Sequence, residues 1–162
     1  MEKTNEAEKA KKFSYKLALE LLAAISITFS ITWNIKVNKS QYEWNKKIQT
    51  VQFLEKREKS NLRLINQRIN NVNNPDSLIK LINEDSILNA QIRSQLNEFE
   101  DLGIGYNIEI YDGEVIKKFI GTSYIKFNKN MQPYIKYARS KNNNPNLYKE
   151  YDICSEALSK MK

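Results

Sequence analysis

Residues 17–35, which read LALELLAAISITFSITWNI, decide the fold of this chain. An α-helix of this length extends roughly 28 Å, close to the ~30 Å hydrocarbon thickness of a bilayer. Only Glu20 and Asn34 interrupt the apolar and small residues, and both lie near an end, so the segment lacks the polar stripe of a soluble core helix. The stretch predicts one N-terminal transmembrane helix.

The flanking residues mark both ends of this helix, because aromatic and basic side chains are typical of membrane interfaces. The far end carries Trp33, Lys36 and Lys39. The near end carries Lys11, Lys12, Phe13, Tyr15 and Lys16. A cleaved signal peptide would have a shorter apolar core and a small-x-small site, so we expect the helix to be retained.

The orientation is not decided by charge, because basic residues are nearly equal on the two sides of the span. The only cysteine is Cys154, whereas exported small domains often depend on disulfides. We therefore expect a plasma (inner) membrane protein whose C-terminal domain is cytoplasmic.

Composition limits the chemistry of the chain. The net charge is +7, and there is no histidine and one cysteine, which excludes most zinc, iron and copper sites and every histidine-based catalytic scheme. No catalytic, cofactor-binding or metal-binding residue is predicted. A basic cluster favours an anionic lipid surface over nucleic acid, since no basic and aromatic surface motif accompanies it. The cluster comprises Lys36, Lys39, Lys46, Lys47, Lys56 and Arg57.

The remaining chain predicts an all-α protein in four parts. Residues 1–12 are charged and predict a disordered tail, and residues 13–37 hold the transmembrane helix with its flanks. Residues 38–74 lack glycine and proline before Pro75 and predict a long juxtamembrane helix that continues the membrane helix as a rod. Residues 75–162 predict a small helical domain that packs on it.

Apolar residues of the long helix fall on one face with a 4-3 spacing. They are Trp44, Ile48, Val51, Leu62, Ile65, Ile69 and Val72. A parallel coiled coil between copies is one interpretation, but Glu55 and Glu58 would place like charges in its seam. The interpretation we favour is burial against later helices of the same chain, because Phe53, Leu54 and Leu64 broaden the stripe. The run Asn70, Asn71, Asn73 and Asn74 ends the long helix.

Capping signals divide the C-terminal region into helices. Asn74-Pro75 predicts the start of a helix, a second runs from Ile87 to a stop at Gly103 and Gly105, and Asp112 caps a third. Pro133 predicts the start of another helix, and Asn144-Pro145 predicts the start of the last one. The apolar face of the third helix is Val115, Ile116, Phe119, Ile120 and Tyr124.

The segment from Leu96 onward resembles a family of uncharacterised small membrane-anchored bacterial and phage proteins, filed under a domain of unknown function. A looser likeness covers residues 44–54. The resemblance implies an all-helical domain on the cytoplasmic side of one span and no activity. The residues that carry it are Leu96-Asn97, Phe99-Glu100, Gly103-Ile104-Gly105, Tyr111-Asp112, Val115-Ile116-Lys117, Gly121, Pro133-Tyr134-Ile135, Arg139, Asn144-Pro145 and Tyr148.

A set of polar residues in this region has two interpretations. As a functional site, its carboxylates would hold Mg²⁺ or act in acid–base chemistry. As structural groups, which we favour, Asp112 caps a helix, Arg139 ties one helix to another and Cys154 packs as a small apolar group. The set is Glu98, Glu100, Asp101, Asp112 and Arg139.

Three functional hypotheses remain. The favoured one is a single-pass, membrane-anchored interaction module that binds a protein partner or a second copy through exposed aromatic side chains. The second is a membrane-acting effector in phage–host conflict that assembles through Glu20, Ser30 and Asn34 of its span. The third is an enzyme using Glu100, Asp112 and Arg139. The aromatic candidates are Tyr124, Tyr134, Tyr137, Tyr148 and Tyr151.

Overall fold

The computed structural model describes residues 2–56, 59–70, 72 and 74–161, with side chains at 13, 15–56, 62–70, 72 and 74–161. Arg57, Glu58, Asn71 and Asn73, on which parts of the sequence predictions fall, lie outside these residues. All regular structure in the described ranges is helical, which confirms the predicted all-α fold.

The helices follow one another with short connections. A π-helical turn, Lys117–Gly121, joins the fifth helix to the sixth. The α-helices are α1 (Glu2–Lys56), α2 (Lys59–Ile69), α3 (Pro75–Glu84), α4 (Ser86–Asn107), α5 (Gly113–Ile116), α6 (Thr122–Lys141) and α7 (Lys149–Lys160).

The chain divides into two compact units, Met1–Trp44 and Asn45–Lys162. In the first unit, α1 begins at Glu2 and so includes residues 2–12, for which the sequence predicts disorder. Glutamate, lysine and alanine dominate this stretch, and all three are strong helix formers. The segment Tyr15–Lys56 is long and apolar enough to cross a membrane, and the most apolar window within it is entirely exposed.

The second unit is built around a cluster of aromatic side chains. The Phe99 ring lies 4.7 Å from that of Tyr124 and 5.1 Å from that of Tyr151, measured between centroids. The Tyr124 hydroxyl donates to the Phe99 carbonyl at 3.0 Å, and the Tyr151 hydroxyl donates to the Tyr124 carbonyl at 2.7 Å. Both buried phenols are therefore satisfied, and they fix α4, α6 and α7 against one another.

Cys154 lies in the same core and is fully buried. Burial raises the pKa of its thiol to about 11, although a hydrogen bond with Tyr124 opposes the shift. The predicted role of a small apolar group in the core agrees with this position.

The region predicted as one long helix contains two described helices, because α1 ends at Lys56 and α2 begins at Lys59. Ile65 and Ile69 of α2 are buried, and α2 packs against α4 of the same chain. This packing is what the intramolecular interpretation of the apolar stripe predicts. Three residues of the predicted stripe are exposed instead, since Trp44 is 63%, Ile48 38% and Leu64 47% exposed.

The first capping signal is confirmed. The Asn74 side chain accepts hydrogen bonds from the backbone N–H of Asp76 at 2.8 Å and of Ser77 at 3.4 Å, and Pro75 opens α3. Asparagine suits the N-cap because its side chain accepts from the free N–H groups of the first turn. Proline suits the first helical position because it has no N–H that would need a partner.

Three predicted helix ends are wrong. Helix α4 passes through Gly103 and Gly105 and ends at Asn107, because these glycines serve close packing instead of a cap. Pro133 lies inside α6, where buried Tyr134 and Ile135 hold the helix together across it. Asn144-Pro145 forms a turn, in which Asn144 accepts from the Asn146 N–H at 3.1 Å, and α7 begins only at Lys149.

Apolar residues of two of the later predicted helices are exposed as well. Ile87 is 66% exposed and Phe119 is 57% exposed. The π-helical turn at Lys117–Gly121 changes the residue period, so Phe119 leaves the face that Ile116 and Tyr124 share.

Candidate functional site

Asp112 has the capping role that the sequence predicts. Its carboxylate accepts from the Val115 N–H at 2.9 Å, at the start of α5. Its own N–H donates to the Thr50 hydroxyl of α1 at 2.7 Å, in a buried position. The residue thus joins α5 to the end of α1 within the second unit, and both bonds are structural.

Glu100 caps a helix that is distant in sequence. Its carboxylate accepts from the Tyr151 N–H at 2.7 Å and from the Glu150 N–H at 3.3 Å, in the first turn of α7. Burial raises the pKa of Glu100, while these two hydrogen bonds oppose the shift. Helix α7 has no cap of its own, since Tyr148 at its N-cap makes no side-chain capping bond.

Arg139 joins α6 to α7. Its guanidinium donates to the Asp152 carboxylate at 2.7 Å and to the Leu147 carbonyl at 2.8 Å. The same carboxylate accepts from Asn128 and Gln132 of α6, each at 2.8 Å. The predicted role of Arg139 as a carboxylate partner between helices agrees with these contacts.

Four of the five polar residues proposed as a site therefore have separate structural tasks. Glu98 accepts from the Gln95 amide at 3.3 Å within α4, and Asp101 is exposed. Among the described residues, no three acidic or cysteine side chains are arranged to hold a metal ion.

The prediction of an exposed tyrosine surface is wrong for most of its members. Tyr124 and Tyr151 are fully buried in the core, because both phenols find backbone acceptors there. Tyr134 and Tyr148 are each 5% exposed. Tyr137 alone of the five is partly exposed, and with Tyr134 and Tyr148 it lines a cleft.

This cleft, which we call the tyrosine cleft, lies between α3, α4, α6 and the turn before α7 and has a volume of about 360 Å³. That size falls within the range of small-molecule sites. Its lining contains two cations and no carboxylate. The lining residues are Asn83, Asn89, Arg93, Asn97, Tyr134, Tyr137, Ala138, Lys141, Asn142, Asn144, Leu147 and Tyr148.

The cations act on the tyrosines of the cleft. Burial raises the pKa of Tyr134, and the charges of Arg93 and Lys141 oppose this shift. The Lys141 ammonium lies 5.4 Å from the centroid of the Tyr137 ring. Hydrogen bonds from Lys141 and from Asn83, the latter at 3.1 Å, lower the pKa of Tyr137. The cleft is therefore electropositive.

The floor of the cleft includes a strained residue. Tyr148 has φ 60° and ψ 28°, a left-handed conformation that is unusual for a bulky side chain. Such conformations cost of order 1–3 kcal/mol and tend to occur at functional sites. Tyr148 is buried, so its packing holds the turn 142–148 against α4 and α6.

The cleft is not predictable from one segment of the sequence. Asn89, Arg93 and Asn97 recur every four residues and so form one polar stripe on α4, which is a detectable signal. On its own, this stripe predicts only a helix face that is exposed to solvent. Its partners Tyr137 and Lys141 lie more than forty residues later, and only the tertiary fold brings them to it.

Comparison with known proteins identifies a family. The model of a family described as "Domain of unknown function (DUF4760)" matches residues 17–156. No curated protein and no solved structure matches the chain. The match begins at the first residue of the apolar stretch and ends within α7, so it extends the resemblance seen from Leu96 onward to the apolar helix. Since the match covers most of the length of the chain, the chain belongs to the DUF4760 family.

Proposed function

We propose that this protein is a single-pass, membrane-anchored helical interaction module. In this proposal residues 17–35 lie in a bilayer, and the unit Asn45–Lys162 is tethered to the membrane through α1 and binds a protein partner or a second copy. The observation that carries the proposal is the exposure of the apolar segment. Leu21, Ile25 and Phe29 are 57%, 64% and 68% exposed.

Such exposure is unfavourable in water, because burying one large apolar side chain is worth about 1.5–3 kcal/mol. Large apolar side chains are exposed throughout residues 17–35, and soluble monomeric proteins rarely expose so large a contiguous apolar surface. Contact with lipid tails would remove all of these side chains from water at once. The family match supports this anchor, since the family domain itself includes the apolar segment.

The end of the segment supports the same placement. The Trp33 ring stacks on that of Phe29 with centroids 6.2 Å apart, and Lys36 and Lys39 follow within two turns. Tryptophan followed by lysine is typical of the headgroup level. At the other end the Lys16 ammonium lies 4.0 Å from the Glu20 carboxylate, so Glu20 has a partner toward the interface.

The alternative role of a membrane-acting effector requires copies to assemble through the apolar helix. The hydroxyls of Ser26, Thr28 and Thr32 each donate to the carbonyl four residues earlier at 2.8 Å. These groups are satisfied within their own helix and need no neighbouring helix in the membrane.

The interaction role is supported by the surface around Phe119. This side chain is 57% exposed and separates two cavities of about 560 and 550 Å³. Leu54, Leu62 and Ile120 line the first cavity, and Val115 lines the second. Lys47, Glu114, Lys117 and Lys118 also line the second cavity, so Phe119 is an exposed aromatic side chain with a charged rim, the kind of anchor that protein interfaces use.

The anchor is tested by extracting membranes that contain the full chain with alkaline carbonate. We expect the protein to stay in the pellet. Replacing Ile25 and Ile27 by arginine should release it, because each central arginine costs roughly 2.5–3.5 kcal/mol on insertion scales. The matched variant with leucine at both positions should stay in the pellet. Release of the unchanged protein by carbonate would contradict the proposal.

The interaction surface is tested with two differently tagged copies in one membrane. After gentle solubilisation, the copies should co-purify, and Phe119→Asp should abolish co-purification. Ile87→Asp is the control, because Ile87 is similarly exposed at 66%. Co-purification that survives Phe119→Asp excludes this surface. If unchanged copies do not co-purify, a second copy is not the partner.

We further propose that the C-terminal unit faces the cytoplasm. Cys154 is a free, buried thiol, and the chain has no second cysteine with which to form a disulfide, which suits a reducing compartment. A green fluorescent protein fused to the C-terminus should fluoresce, while a fused alkaline phosphatase should be inactive. The opposite pair of results would place this unit outside the cytoplasm.

A further inference from the structure

We propose that the tyrosine cleft binds the phosphate group of a small anionic molecule, held by Arg93 and Lys141. This site is independent of the membrane anchor. Three features of the cleft support a phosphate there: its uncompensated charge, its unused hydrogen-bond donors and its enclosed floor.

The charge of the cleft has no counterpart within its lining. Arg93 comes from α4 and Lys141 from the end of α6, and no carboxylate lines the cleft with them. Neither residue forms an ion pair with any carboxylate in the described part of the chain. Arg68 and Arg139, by comparison, each lie within 2.8 Å of a carboxylate oxygen. Two cations that converge without a partner favour an anion of charge about −2, such as a phosphate.

One acid whose charge acts on the cleft floor is already engaged. Glu100 contributes to the electrostatics of Tyr148 at the cleft floor, but it does not line the cleft. Its carboxylate is held by the N–H groups of Glu150 and Tyr151 in α7. Glu100 therefore does not neutralise Arg93 and Lys141 directly.

Several amide donors of the lining are free to bind a ligand. The Asn97 side chain makes no hydrogen bond among the described residues, and the Asn144 side chain uses only its amide oxygen, which accepts from the Asn146 N–H. Together with the guanidinium and the ammonium, these amides exceed what a single carboxylate can accept. A phosphate has three terminal oxygens and accepts bidentate bonds from arginine, so it matches this donor set better.

The floor of the cleft is largely dry. Tyr134, Ala138 and Tyr148 are 5%, 7% and 5% exposed, whereas Arg93 and Lys141 lie at the rim. A cleft of about 360 Å³ leaves room beside a phosphate for a small organic group against the tyrosine rings.

The test is isothermal titration calorimetry of the full chain in a mild uncharged detergent, with pyrophosphate as the probe. We expect saturable binding with one site per chain. Arg93→Gln and Lys141→Gln should each weaken the affinity about tenfold, since each removes a charge-assisted hydrogen bond. The matched controls Arg63→Gln and Lys136→Gln remove the same charges from exposed positions outside the cleft and should leave the affinity unchanged.

Some outcomes would overturn the proposal, and others identify the source of the phosphate. Absence of pyrophosphate binding, equal weakening by the control variants, or equally tight binding of succinate would overturn it. Dihexanoyl phosphatidic acid, a soluble lipid, is titrated in parallel. If it binds more tightly than pyrophosphate, the phosphate is that of a lipid headgroup, and if it binds more weakly, the phosphate is that of a soluble molecule. Failure of the membrane anchor would leave this titration unaffected, so the two proposals fail separately.

Discussion

Gly103 lies where α4 comes closest to α7. A Cβ placed there would be 2.5 Å from the Glu150 carbonyl oxygen and 2.9 Å from the Tyr151 nitrogen, and backbone atoms cannot swing aside. We therefore expect Gly103→Ala to lower the free energy of unfolding by about 1–3 kcal/mol, the usual cost of overpacking. Denaturant unfolding of the full chain in detergent, followed by circular dichroism, measures this change.

Gly121→Ala is the matched control. Its Cβ would meet the flexible Lys117 side chain at 3.2 Å, and alanine is the better helix former by about 0.5–1 kcal/mol. We expect this variant to be neutral or slightly more stable. Equal destabilisation by both substitutions would show that close approach at Gly103 is not what the glycine provides.

Glu100 gives a pH dependence of known sign. Burial raises its pKa above the ordinary 4.5, so the folded state keeps the proton to a higher pH than the unfolded state. Its contribution to stability is therefore fully present at low pH and declines as the pH rises above about 4.5. The free energy of unfolding of the unchanged protein, relative to that of Glu100→Gln, should fall as the pH rises from 4 to 7.

Glu156 provides the control with the opposite sign. A hydrogen bond from Lys160 lowers its pKa, so its contribution grows as the pH rises and is lost in acid. The stability of the protein minus that of Glu156→Gln should rise over the same pH interval. Slopes of the same sign for both residues would contradict the assignment of burial as the main influence on Glu100.

Single residues were predictable from sequence where their contacts are local. Asn74 and Asp112 cap helices that begin one residue later, so the signal and its effect lie together. Gly103 was misread as a helix end because the backbone it approaches, at Glu150, is distant in sequence. Glu100 was likewise recognised as polar but not as the cap of α7.

At the level of elements, α6 and α7 are joined by one shielded ion pair. The side chains of Arg139 and Asp152 are 22% and 29% exposed, and Asp152 also accepts from Asn128 and Gln132. Arg139→Gln should lower the free energy of unfolding by about 1.5–3 kcal/mol, the range for hydrogen bonds to charged groups. The same unfolding measurement applies.

Lys160→Gln removes the ion pair between Lys160 and Glu156 of α7, whose side chains are 71% and 68% exposed. This change should lower the free energy of unfolding by only about 0–1 kcal/mol. If the two variants lose equal stability, the contacts of Arg139 with Asp152 and the Leu147 carbonyl do not join these helices as described.

Helices were predictable as elements because their apolar residues recur at helical spacing, as in α4, where Leu88, Ile92, Leu96 and Phe99 are all buried. Their ends were less predictable. Proline at 133 is tolerated inside α6, and Asn144-Pro145 makes a turn before α7, since in both places tertiary packing outweighs the local preference. The tyrosine cleft depends on three helices at once and has no local signature beyond the stripe on α4.

At the scale of the whole molecule, the two units differ in what their apolar residues contact. In Asn45–Lys162 the large apolar side chains are mostly buried against one another, whereas in residues 17–35 they are exposed. Composition alone separated these two regions in the sequence, because a continuous apolar run needs no knowledge of tertiary contacts. The partner depends on molecules outside the chain, and the orientation is not fixed by the basic residues, because they are nearly equal on the two sides of the span.

The central claim is that residues 17–35 lie in lipid, and the natural probe is Trp33. In the variant Trp44→Phe, Trp33 is the sole tryptophan. After reconstitution into vesicles, brominated phosphatidylcholine should quench Trp33 strongly and acrylamide should quench it weakly. Trp44, retained alone in Trp33→Phe, lies roughly 16 Å further along α1 at about 1.5 Å per residue, and should be quenched less by brominated lipid. Strong quenching of Trp33 by acrylamide, with no effect of brominated lipid, would contradict the account.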